Sequence, residues 1–240
     1  MSGLQRERSN GIEILRLDRP DVRNAMNTAL LEALLAALDE LVADGELRAL
    51  VLSTTTEKAL SAGADVSEEL DHAGGVARME LFARVYAALE AFPAPSVAVC
   101  VGNVVGAGAE VAAACDLRVA GENLKLAWAG GRLGVPVGPA RLVPLIGLSR
   151  AKELILTGRV VGAQEAEEIG LVHRVVGEGE AEAAAVELAE AASQGPPEAM
   201  RGLKAMFRDF ERTAERVALE NELLVEFQRH GAGLPRKRSG

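Results

Sequence analysis

Apolar and polar positions change period several times along the chain, and each change marks an element. GIEILRL (11–17) alternates as a strand does, and DRPDVRN after it reads as a turn. TALLEALLAALDELVAD then repeats its leucines every three to four residues, which predicts an amphipathic helix with Asn27 or Thr28 as N-cap. RALVLSTT (48–55) is a second strand, followed by the small-residue loop SAGAD. ARMELFARVYAALEAF (77–92) is helical and stops at Pro93 and Pro95, and SVAVCVG (96–102) is a third strand. GAGAEVAAACD (106–116) follows as a helix, and DLRVAG and LKLAWA as two short strands. SRAKELILTG (149–158) predicts a helix capped by Ser149 and ended by Gly158. AQEAEEIG (163–170) predicts another, with Gly170 just past its end, leading into the strand LVHRVV. From about 180 onward the pattern is helical, broken by the prolines at 196 and 197.

Strands alternating with helices and followed by a helical tail describe an α/β domain with a mainly parallel sheet. The 240 residues suffice for one sizeable core. No apolar run reaches the ~18 residues of a membrane span, and MSGLQRERSNGIEIL has no apolar signal region, so a cytoplasmic protein is expected. Cys100 and Cys115 share no metal-ligand spacing and read as buried thiols, and no metal site is expected. A net charge of −9 argues against a general nucleic-acid surface. The low aromatic content, 3%, argues against a cage of stacked rings.

Chemistry concentrates where strands hand over to helices, at SAGAD and GAGAE. Glu110 is the odd residue there: one carboxylate in an apolar run whose next charge is Asp116. Three uses compete. A dinucleotide site would use the glycine turn and helix N-terminus, but G-A-G-A-E-V lacks the third glycine and points a carboxylate at a pyrophosphate. A structural use would pack the helix closely on its sheet and pair Glu110 with an arginine. In the third, two backbone N–H groups, one from each loop, stabilise a carbonyl oxygen as it becomes an enolate, and Glu110 moves protons beside it. Only this last gives both loops and the glutamate one purpose.

The chain resembles the enoyl-CoA hydratase/isomerase (crotonase) superfamily. The likeness runs in order through LDRPDVRNAMN (17–27), ALVLSTTTEKALSAGADVSEEL (49–70), PSVAVCVGNVVGAGAEVAAACDLRVAGENLKLA (95–127) and LIGLSRAKELILTGRVVGAQEAEEIGLVHRVV (145–176). It implies a crotonase-like spiral of ββα units over 1–180 and a helical oligomerisation region over 181–232. A disordered tail is expected at 233–240. It further implies trimers or paired trimers, acyl-CoA thioester substrates of the kind met in fatty acid metabolism, and no cofactor beyond the coenzyme A of the substrate. Ala64 and Ala107 match the two oxyanion N–H donors, and Glu110 matches one of two acid/base glutamates. Arg23, Ala25, Ala62 and Gly106 fall at positions along the coenzyme A chain and thioester.

One departure matters most. The family's second glutamate belongs in the stretch that here reads LAWAGGRLG (126–134), and Gly130 stands in its place. No carboxylate occurs between Glu122 and Glu153. The resemblance therefore implies a thioester-polarising site with one acid/base, suited to double-bond isomerisation and poorly suited to hydration; decarboxylation and thioester hydrolysis stay open. Asp65 is expected either to line the acyl pocket or to cap a helix starting near Ser67. His72 reads as an exposed helix-end residue that could also reach the site, and His173 decorates a strand. Lys204 stands where a C-terminal helix can offer a cation to coenzyme A phosphates, or on a solvated face. Trp128 is a pocket wall or a packing residue. A non-catalytic CoA-ester binder is the alternative from another class.

Overall fold

The computed structural model describes residues 3–234. A six-stranded sheet has the order β1-β2-β3-β5-β7-β9, formed by Leu4–Ser9, Ile12–Leu17, Ala49–Thr54, Ser96–Cys100, Leu117–Gly121 and Arg174–Val176. Only β1 and β2 pair antiparallel; every later pairing is parallel. A second, three-stranded parallel sheet has the order β4-β6-β8, from Ala59–Ser61, Asn103–Val105 and Lys125–Ala127.

The chain winds as a spiral. Each turn lays one strand in each sheet and then runs into helices: β3 and β4 lead to α2 (His72–Glu90), and β5 and β6 lead to α3 (Ala107–Ala114). β7 and β8 lead to α4 (Pro139–Ile146) and α5 (Leu148–Thr157). This is the crotonase-like architecture the resemblance implies. The inner strands β3 and β5 are buried on both faces because helices cover both, so they read as nearly continuous apolar runs. Helix α1 (Thr28–Val42) turns Leu30, Leu34, Leu38 and Leu41 into one core, and its N-cap is Asn27, whose Oδ1 accepts the Leu30 N–H at 3.1 Å.

Several boundaries differ from the sequence pattern, for local reasons. β1 was hidden because its outer face is charged, LQRERS, with five exposed positions. β6 was hidden because it is three residues long inside a glycine-flanked stretch. Helix α2 starts at His72, earlier than its apolar period, because Asp71 caps it by accepting from Gly74 N–H at 2.7 Å. No helix starts near Ser67. Ser149 does not cap α5: the N-cap is Gly147, and the helix begins at Leu148. Helix α6 (Ala163–Glu168) ends as expected with Gly170 at φ +75°.

Helix α7 (Ala181–Ala192) lays Ala181, Ala184, Ala185 and Ala189 on the face of the sheet formed by Ile12, Val51, Val97 and Val119. It therefore packs as part of the spiral although it follows residue 180. Helices α8 (Pro197–Phe210) and α9 (Thr213–His230) form the remaining helical part. α9 returns along α2, where Asn221 Nδ2 donates to Ala83 O at 2.9 Å. The tail expected at 233–240 falls, from 235 on, outside the described residues. No described helix is long and apolar enough to cross a membrane, and the described residues contain no cluster of metal-binding side chains.

Candidate active site

The first glycine-rich loop is built by hydrogen bonds rather than by a helix. Asn24 is fully buried, and its Nδ2 donates to Thr54 Oγ1, Ala59 O and Leu60 O. Ser61 Oγ donates to Asn24 O and accepts from Gly63 N–H. Ala62 N–H donates to Arg23 O, Met26 N–H to Gly63 O, and Asp65 N–H to Met26 O. These bonds take the N–H groups on both sides of Ala64 and leave its own without an acceptor among the described residues. Gly63 has φ +103°, and a Cβ there would come within 2.9 Å of Val105 O and 3.7 Å of Ala107 N. The two loops therefore meet because position 63 has no side chain.

The second loop enters α3 through Gly106, at φ +54°, whose N–H donates to Ala127 O. Ala107 is the first helical residue, so its N–H has no intrahelical partner and stands at the positive end of the helix dipole. Ala64 and Ala107 both line one cavity of about 230 Å³, together with Ala62, Gly63, Val105, Gly106 and Gly130 among others. Its far walls are Met79, Phe82 and Tyr86 from α2 and Leu224 from α9. The lining contains no Asp, Glu or His.

Glu110 lies behind this cavity, not on it. It is 0% exposed, and its Oε2 accepts from Arg141 Nε at 2.5 Å. Arg141 also bonds Glu220, whose Oε2 accepts the Ala140 N–H at 2.7 Å, and the Tyr86 ring sits 4.7 Å from the guanidinium carbon. Glu110 Oε1 has no partner among the described residues; a Cβ on Gly138 would come within 3.4 Å of it. Gly138 thus packs against the carboxylate, and its neighbour Val137 lines the cavity. Burial pushes the Glu110 carboxyl up to about 7, Arg141 opposing the rise and Glu220 and Glu90 adding to it. Burial outweighs the opposing guanidinium because the side chain is fully withdrawn from solvent.

The remaining sequence candidates disperse. Gly130 lines the cavity, but a Cβ there would meet Val137 Cγ1 at 3.0 Å and Val135 O at 3.4 Å. Asp65 is buried and structural: Oδ1 accepts from Ser67 N–H and Oγ–H, and Oδ2 pairs with Arg19 at 2.9 Å. It neither lines the cavity nor caps a helix. Ala25 O accepts from Arg19, beneath the same loop. Arg23 opens onto a separate polar recess of about 500 Å³ with Lys58 and Lys125. Lys204 is on neither a solvated face nor a phosphate site: its Nζ is buried, donates to Ala94 O at 2.8 Å and pairs with Asp116 at 2.7 Å. His72 is exposed at the start of α2, and its ring faces Arg229 O at 3.2 Å. His173 precedes β9 and accepts from Arg118 N–H. Trp128 is buried without lining the cavity, and its indole N–H has no partner among the described residues.

Arg141 and Glu220 were missed. The sequence suggested that an arginine could pair Glu110, and Arg141 is the lone charge in VPVGPARLVPLIG, which is the signal that could have named it. Glu220 carries no such signal, since it sits in a helix rich in other glutamates.

Comparison with known proteins agrees with the fold. The profile of a family described as enoyl-CoA hydratase/isomerase matches residues 7–233. The protein YngF of Bacillus subtilis is 37% identical over 196 residues, covering 80% of this chain and 75% of that protein. The 2,3-dehydroadipyl-CoA hydratase of Escherichia coli is 32% identical over 225 residues, covering 92% and 88%. Among solved structures, an enoyl-CoA hydratase from Bacillus anthracis superposes with a TM-score of 0.82 at 29% identity, covering 98% of this chain and 99% of that one.

Proposed function

The chain belongs to the enoyl-CoA hydratase/isomerase family, and from that premise we propose that it moves a double bond in an enoyl-CoA thioester with Glu110 as its only acid/base. The thioester carbonyl oxygen sits between the Ala64 and Ala107 N–H groups. Glu110 takes a proton from C2 of a 3-enoyl chain, the charge moves onto that oxygen, and the two N–H groups stabilise the enolate. The same proton returns at C4, giving the conjugated 2-enoyl ester with no net gain or loss of atoms. The Val137–Gly138 segment must yield for the acyl chain to reach Glu110. Coenzyme A enters only as part of the substrate, and the expected setting is the cytoplasm.

The observation that carries this reading is the cavity wall itself: Ala64 and Ala107, whose N–H groups are unengaged among the described residues, and a glycine at 130 where a second carboxylate would stand. Hydration needs a water held and deprotonated while a proton reaches C2, a task for two positioned groups. Losing one typically costs ~3–5 kcal/mol of transition-state stabilisation, or ~10²–10⁴ in rate. Short 3-enoyl-CoA and 2-enoyl-CoA esters, followed by absorbance of the conjugated thioester and by mass, separate the outcomes. Isomerisation with feeble hydration is expected. Fast hydration of crotonyl-CoA would sink the proposal.

A second reading is favoured by the sealed position of Glu110: a member of the family that binds CoA esters without turning them over. Tight calorimetric binding of an enoyl-CoA, with no product of any kind from the same ester panel, would select it.

A further inference from the structure

We infer that Arg141 and Glu220 act as a positioning pair for Glu110, α9 holding the guanidinium and the guanidinium holding one carboxylate oxygen so that the other is left to act. This deepens the isomerase reading and rests on it for the role of Glu110.

The argument is geometric. A guanidinium that only neutralised Glu110 would take both of its oxygens side by side, since its planar fork matches a carboxylate. Here Nε takes Oε2 alone and Nη2 turns away to Glu220. Glu220 is fixed in turn by the Ala140 N–H, one residue before Arg141 on α4. Glu110 Oε1 is left as a buried acceptor with no partner among the described residues, an expensive state for an atom with only a structural part to play. Nor is the triad explained by stability, because buried ion clusters of this kind are often no more stabilising than well-packed apolar groups. The Tyr86 ring, a wall of the cavity, lies against the same guanidinium, so the pair connects the acyl site with the C-terminal helix.

The charges around Glu110 make the pair testable. Tyr86 and Glu90 act on it from α2, Arg141 from α4 and Glu220 from α9, and β4 and β6 bring no titratable group. Glu220 works against Arg141 on Glu110, so removing its charge leaves the arginine less opposed.

The experiment titrates the Glu110 carboxyl by isotope-edited infrared spectroscopy, assigned by difference against Glu110→Gln, in the intact protein and in Glu220→Gln. The expected result is a midpoint moved to lower pH in Glu220→Gln, with kcat on a 3-enoyl-CoA reduced roughly ten-fold or more and KM nearly unchanged. Arg141→Lys keeps the charge but cannot hold two carboxylates in two directions, and it is expected to lose kcat as Glu220→Gln does. A folded Glu220→Gln with an unmoved Glu110 midpoint overturns the inference. If Glu220→Gln does not fold, Glu220→Asp, which withdraws the charge by one methylene, is titrated in its place: a moved midpoint supports the pair and an unmoved one overturns it. The titration needs no turnover, so an inactive protein with a moved midpoint would defeat the isomerase reading, and with it the catalytic role of Glu110, while the link from Glu220 through Arg141 to Glu110 would stand.

Discussion

Two glutamates of this protein are unusual, each for its own reason, and both give pH-dependent predictions. Glu110 is fully buried at the start of α3, with one oxygen on Arg141. Glu110→Gln preserves shape and the acceptor for Arg141, so folding and CoA-ester binding should survive while turnover falls by ~10²–10⁴. Normal turnover in that variant would make the residue structural. Glu90 is half-buried beside Ala87, Asn221 and Arg208, makes no hydrogen bond among the described residues, and is pushed by burial to about 7. Both carboxyls are raised above their ordinary value of 4.5. The folded state therefore binds their protons more tightly than the unfolded chain does. The stability they contribute is complete below about 4.5 and is lost as pH rises through about 7. Glu90→Gln should raise the melting temperature at pH 8 more than at pH 5, and equal effects at both pH values would refute the assignment.

At the scale of elements, the short helical turn from Ala129 to Leu133 carries Gly130, on which the proposed choice of reaction turns. The resemblance places a second carboxylate at Gly130, and simply restoring it ignores what surrounds the position. A side chain there starts 3.0 Å from Val137 Cγ1, and Val137 is itself 8% exposed and packed in the core. Gly130→Glu alone is expected to lose stability by ~1–3 kcal/mol from overpacking, with little gain in hydration. Gly130→Glu combined with Val137→Ala makes room for the side chain and should raise crotonyl-CoA hydration well above that of the parent. If the single variant already hydrates quickly, the 129–138 segment is more yielding than its packing indicates.

For the whole molecule, one group of exposed apolar side chains lies on the two C-terminal helices. Leu203, Met206, Phe207 and Phe210 on α8 and Leu219 and Leu223 on α9 are each about half or more exposed. Leu224, the neighbour of Leu223, is instead a core residue and lines the cavity beside Ala64 and Ala107. Exposed apolar side chains of this kind are expected at a subunit contact. A trimer or pair of trimers is the expected assembly, and Phe207→Glu with Leu223→Glu should convert it to monomers by light scattering. A parent protein that is monomeric at micromolar concentration would refute this.

Alternation in GIEILRL, the leucine period of α1 and the apolar runs at 96–102 are local, so the parallel α/β character and most element positions were legible from the chain alone. So were the two glycine-rich loops, because a glycine that lets backbones meet leaves its mark in composition. β1 and β6 were not, since a charged edge strand and a three-residue strand have too little pattern of their own and exist through their partners. The same division runs through the site. Glu110 stood out as a lone carboxylate among alanines, but its arginine lies 31 positions away and the glutamate holding that arginine 79 further on. Asp65 and Lys204 look like free charges in a string of letters. Only folding commits one to the loop beneath Ala64 and the other to Asp116, because a buried charge must find a partner wherever the chain brings one.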